Sequence, residues 1–88
     1  MNQWIAFYVK YLSEHDPFAM EMHGWQCEAP SADDALIFLE TNPAVPYRMF
    51  LLEVIPLSQK DTWIAEGNEE AERLGLASPK VVMHQMSL

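Results

Sequence analysis

The stretch Trp25-Gln26-Cys27-Glu28-Ala29-Pro30-Ser31-Ala32-Asp33-Asp34-Ala35-Leu36 constrains the fold more than any other part of the chain. Trp25, Cys27 and Ala29 alternate as one face of a strand. From Ser31 onward the apolar spacing becomes helical. The Ser31 hydroxyl is placed to accept the backbone amide near Asp34, and Asp33 and Asp34 fall in the first turn, where the helix dipole favours negative charge. A strand that hands over to a helix in the middle of 88 residues points to one small α+β domain. It does not fix an activity.

The rest of the chain fits around that joint. Ile5 to Leu12 alternates, with Ile5, Phe7, Val9 and Tyr11 on the expected core face and Ala6, Tyr8, Lys10 and Leu12 on the other. Ser13 to Pro17 is a polar turn, and a second strand from Phe18 to Ala29 completes a hairpin. Gly24 sits where the apolar phase changes, which suggests a bulge or a close backbone approach. A helix from about Ala32 to Thr41 turns Ala35, Leu36, Phe38 and Leu39 toward the sheet and stops at Asn42-Pro43. Tyr47 to Ile55 is the most apolar run, wants cover on both sides and is expected to be a central strand. Ser58 or Asp61 can cap a helix carrying Trp63, Ile64 and Ala71. Gly67-Asn68 is expected to interrupt it, with Asn68 capping a short second helix that reaches Leu74 before Gly75. Val81 to His84 is a final strand or an extended tail. The predicted architecture is therefore a small antiparallel sheet with one main helix on one face and a short helical carboxyl-terminal segment.

Composition narrows function by exclusion. Thirteen carboxylates against five Lys and Arg give a net charge of −8, a field that repels phosphate backbones and anionic membranes. Direct nucleic-acid or membrane binding is not expected. No apolar run approaches a membrane span, and Cys27 is a lone cysteine, so a reduced, cytoplasmic setting is the simpler expectation. There is no Gly-rich phosphate loop and no nucleophile elbow, and no cofactor is implied. His23 and Cys27 lie four apart on a strand, about 13 Å at about 3.3 Å per residue, too far to share one ion. His15 and His84 have no ligand partner at a familiar spacing, so no metal site is expected. A hydrolase or isomerase using His15, His23 or His84 with Asp or Glu lacks a paired arrangement along the chain. Cys27, between Trp25 and Ala29, is best read as a small core hydrophobe.

The carboxylates are the remaining feature. Residues 1 to 44 carry seven acidic groups and one basic one, whereas residues 45 to 88 carry six and four. The acidic surface is expected on the hairpin and first helix, at Glu14, Asp16, Glu21, Asp33, Asp34 and Glu40, with Tyr8 and Trp25 as aromatic anchors where exposed. Six methionines fill core gaps or line an adaptable contact surface.

A hairpin, then Ala29-x-Ser31-x-x-Asp34-Ala35 opening a helix, then an apolar strand, resembles many small proteins of bacteriophages and mobile elements. Among them are anti-CRISPR proteins, acidic inhibitors that occupy a host complex. The resemblance covers roughly residues 5 to 55. It implies a non-enzymatic inhibitor in the host cytoplasm that blocks a basic, nucleic-acid-handling protein or nucleoprotein complex by steric occlusion or DNA mimicry. The alternative is a structural or regulatory subunit that homodimerises through an exposed strand or an apolar sheet face.

Overall fold

The uninterrupted apolar run Ile5-Ala6-Phe7-Tyr8-Val9 has no polar side to turn to water, so the strand that holds it needs cover on both faces. The computed structural model, which describes residues 2–42, 49–78 and 80–85, gives it that cover. Strand β1 (Asn2–Tyr11) pairs antiparallel with β2 (Met20–Ala29) on one side and with β3 (Phe50–Pro56) on the other. Helix α1 (Ala32–Glu40) follows β2. A short 3-10 turn (Leu57–Gln59) leads from β3 into α2 (Lys60–Arg73), and β4 (Lys80–Gln85) returns to pair with β2 in parallel. The sheet order is β3-β1-β2-β4. The α+β class is the expected one. The sheet is mixed rather than antiparallel throughout, because the chain crosses over through α2 before β4 joins it.

The two faces of the sheet have different cores. Ala6, Tyr8, Trp25, Cys27 and Ala29 pack with Ala35 and Leu39 of α1, and Trp4, Phe38, Met49 and Val54 close that layer. On the other face Ile5, Phe7 and Ile55 pack with Leu57, Trp63, Ile64 and Val81 under α2. The Trp63 ring lies flat on Phe7, centroids 3.9 Å apart and planes 6° from parallel, and its indole N–H donates to Glu53 at 2.6 Å. The odd residues of β1 were the expected core face. Both faces are buried, because β1 is the central strand.

β3 is an edge strand, not a central one. Val54 and Ile55 fill the two cores, but Phe50, Leu51 and Leu52 remain exposed. Register with β1 shifts between Phe7 and Tyr8, leaving Leu52 as the extra residue of a bulge. Residues 43–48, which include the expected helix stop at Pro43 and the start of this strand at Tyr47 and Arg48, lie outside the described residues. At Gly24 the β1–β2 register is unbroken. A Cβ there would sit 3.0 Å from both Ile5 Cδ1 and Met83 Sδ, so of the two expectations the close approach holds and the bulge does not.

Ser31 caps α1, its Oγ accepting from the Asp34 amide at 3.2 Å. At the other end the Thr41 hydroxyl donates to the Ile37 carbonyl at 2.8 Å. Neither Ser58 nor Asp61 caps α2, since the 3-10 turn runs directly into it and Gln59 takes the cap position without a side-chain bond. Gly67 does not break the helix either. The stack of the half-buried Trp63 on Phe7 contributes about 0.5–1.5 kcal/mol beyond the area it covers, enough to offset a cost of about 1 for one glycine. Asn68 therefore lies inside a continuous helix. That helix ends on Gly75 at φ 73°, with the Gly75 amide donating to Glu72 and the Leu76 amide to Ala71.

Two substitutions test this local reading in urea denaturation. Ser31→Ala should lower stability by about 1 kcal/mol. Gly67→Ala should raise it by about 0.5–1 kcal/mol, because the new methyl meets nothing within 4 Å and the helix is already formed. A loss at Gly67→Ala would mean that this turn is not helical in solution.

Candidate functional site

Three regions bring chemistry-bearing residues together. The first grows from the alternation of β2, which puts Glu21 and His23 two apart on the α1 side of the sheet. The parallel register sets Trp25 opposite His84 of β4, and the two rings stack with centroids 4.0 Å apart. His23, which is buried, then meets His84, Nδ1 to Nε2 at 2.8 Å, while its Nε2 faces Glu21 Oε1 at 3.2 Å. With both rings neutral only one proton arrangement satisfies this chain. His23 Nε2–H donates to the carboxylate, and its Nδ1 accepts from His84 Nε2–H.

This pairing was not visible in the sequence. The spacing of Glu21 and His23, two apart on a strand, went unused in the sequence reading, and His84 is 61 residues from His23 along the chain. The arrangement orders the edge strand. Each of the facing ring nitrogens is spent on its neighbour, and the outer ring is covered by Trp25. Burial, then the nearby His23, lowers the pKa of His84 below 6.5. Burial also raises the Cys27 thiol, which makes it a poor nucleophile at neutral pH. The Tyr8 hydroxyl is raised as well, by burial first and then by Glu40 and Cys27. Tyr8 Oη and Trp25 Nε1 are buried with no hydrogen-bond partner among the described residues.

The second region is the hairpin end. The Ser13 hydroxyl accepts the amides of His15 and Asp16, and Asp16 Oδ1 accepts the Phe18 amide at 3.0 Å, so the turn is locally tied. It presents Leu12 and Phe18 to solvent, both more than half exposed. Tyr11 and Phe50 join them, edge to face at 6.0 Å, because the register sets Val9 opposite Phe50. Glu14 and Asp16 are exposed beside these apolar groups and enter no ion pair among the described residues.

The third region is an apolar groove of about 230 Å³ between α2 and the sheet, lined by Met22, Trp63, Ile64, Ala71, Leu74 and Val81 among others.

Set against these regions, the expected contact residues divide. Glu14 and Asp16 sit on the hairpin end. Glu21 is half-buried against His23. Asp33 and Asp34 are exposed in the first turn of α1, at the opposite end of β2 from the hairpin, about 30 Å away at about 3.3 Å per residue. Glu40 lies at the other end of α1, where its charge reaches Tyr8. Tyr8 and Trp25 are each only 5% exposed, so they cannot anchor a partner. Both lie on the sheet face under α1, where the central position of β1 leaves no room for solvent. Among the described residues the exposed aromatics are Tyr11, Phe18 and Phe50, of which the alternation pattern alone singled out none.

Comparison with protein-family models, with curated protein sequences and with solved structures finds no match to this chain. Among the described residues, no helix is long and apolar enough to cross a membrane.

The histidine pair gives a pH prediction. His84 binds its proton less readily folded than unfolded, so its contribution is complete above about pH 6.5 and is lost as pH falls toward the lowered folded value. Denaturation midpoints at pH 7.5 and 5.5 should therefore differ, the lower pH being less stable, and His84→Gln should narrow the gap. An unchanged gap would assign the acid sensitivity to other groups.

Proposed function

We propose that this chain is a non-enzymatic binding protein that inhibits a basic, nucleic-acid-handling partner in the cytoplasm of a host cell, by occupying the partner's surface. The observation that supports the reading most is the hairpin end, where exposed Tyr11, Leu12, Phe18 and Phe50 stand beside the exposed carboxylates Glu14 and Asp16, which enter no ion pair among the described residues. Large apolar side chains supply the tightness of a protein contact, and carboxylates at its rim supply encounter rate and orientation toward lysine and arginine. A net charge of −8 favours a basic partner over a second copy. Steric occlusion fits this surface better than DNA mimicry, because Asp33 and Asp34 lie at the opposite end of β2 from the hairpin and the hairpin carboxylates are interspersed with apolar groups.

A homodimer is the second reading, and one feature favours it. The outer side of β3 is open, with Phe50, Leu51 and Leu52 exposed. Against it stand the bulge at Leu52, a device that discourages edge pairing, and the like charge of the two copies.

Immobilised chain should retain a basic protein from a bacterial lysate at low salt and release it as salt rises. With that partner purified, Glu14→Lys with Asp16→Lys should slow association. Phe18→Ser with Phe50→Ser should speed dissociation by about tenfold or more, while Asp33→Lys with Asp34→Lys does less. Binding that strengthens with salt and is indifferent to the hairpin pairs would contradict the proposal.

A further inference from the structure

We infer that the groove between α2 and the sheet is a second contact site, which takes an apolar side chain carried on a lysine- or arginine-bearing helix of a partner protein. The inference rests on the reading of the chain as a binding protein and adds a place and a partner chemistry that the hairpin does not provide. The groove exists because α2 covers only part of its sheet face. Trp63 seats the helix on Phe7, while toward the carboxyl end of α2 the side chains of Ala71 and Leu74 stand over Met22 and Val81 without filling the space between. Its volume, about 230 Å³, decides what fits. A dry apolar cavity of about 150 Å³ already accepts a benzene ring, whereas sites for drug-sized ligands start at about 300 Å³. The groove therefore suits one or two apolar side chains rather than a nucleotide or a cofactor. Leu74, more than half exposed at its mouth, is the kind of side chain that an arriving apolar group covers.

Charge selects the carrier. Along α2 the groove-lining residues Trp63, Ile64, Gly67, Ala71 and Leu74 follow helical spacing, with Asn68 lining the groove on one side of that stripe and Glu70 on the other, where Glu66 flanks it. Asp61, Glu66, Glu69, Glu70 and Glu72 oppose only Lys60 and Arg73 on this helix; those two pair with Asp61 and Glu70, which leaves Glu66 as the carboxylate at the groove border with no ion pair among the described residues. An apolar slot with acidic borders is complementary to an amphipathic helix with basic flanks. A second copy of this chain offers no such helix, since its own amphipathic helices are acidic.

The test titrates isotope-labelled full-length chain with an amphipathic helical peptide built from leucine, lysine and one tryptophan. Its counterpart has glutamate in place of lysine. Amide resonances report where each binds. The lysine peptide should shift the amides of Met22, Ile64, Ala71 and Val81, and the glutamate peptide should bind at least about tenfold more weakly. Gly67→Leu adds a side chain that meets open space in a formed helix, so the fold is kept while the groove is filled. It should weaken the lysine peptide by about tenfold. Shifts confined to Leu12 to Phe18, equal binding of the two peptides, no binding of either, or an indifferent Gly67→Leu would each overturn the groove. So would groove amides that shift on dilution of the chain alone, which would make a second copy the occupant. Loss of a lysate partner through the hairpin variants but not through Gly67→Leu would remove the groove and leave the binding-protein reading intact.

Discussion

The structure depends on a strand that is buried from both sides. Ile5, Ala6 and Phe7 of β1 have no exposed surface, and each face of β1 needs a helix over it. α1 covers one face closely through Ala35 and Leu39, the two residues of that helix that are fully buried. α2 covers the other less completely. None of its residues is fully buried, and it is held chiefly by one ring stacked on Phe7.

That asymmetry produces the surfaces to which function is assigned. Where α2 falls short, the sheet and helix leave an apolar groove. At the hairpin end, Tyr11, Leu12, Phe18 and Phe50 meet solvent beside Glu14 and Asp16. Clustered exposed apolar side chains of this size are the kind of surface on which the proposed contact rests. The Glu21–His23–His84 chain has a different task. It fastens β4, the other edge of the sheet, by a hydrogen bond in which a single proton bridges the two ring nitrogens.

Much of this was legible in the sequence where the physics is local. Ser31 with Asp34 announced the start of α1, because a cap needs only residues three apart. The hairpin was also readable from alternation, while the last segment was legible only as a strand or an extended tail and Gly24 only as a bulge or a close approach. What was misread depends on distant packing. Phe50 to Ile55 is apolar on both faces, which is equally true of a buried central strand and of an edge strand whose excess apolar groups stay exposed. Gly67 signals a break by propensity, yet the Trp63–Phe7 contact outweighs that cost. The candidate site divides along the same line. The hairpin carboxylates were identified from charge alone. Their aromatic neighbours were not, since pairing Tyr11 with Phe50 requires the β1–β3 register, and His84 reaches His23 only through a parallel crossover that no short-range pattern encodes. Tyr8 and Trp25 are attractive anchors by residue type, but they lie against the central strand and are buried.

Native-state hydrogen exchange tests the central claim, that β1 is the doubly covered axis of the fold and α2 its incomplete cover. The account predicts that the amides of Ile5 to Val9 exchange only through global unfolding, while those of α2 beyond Ile64 exchange through a smaller opening that leaves β1, β2 and α1 protected. Amides in α2 as slow as those of β1, or β1 amides that exchange as readily as those of β3, would contradict it.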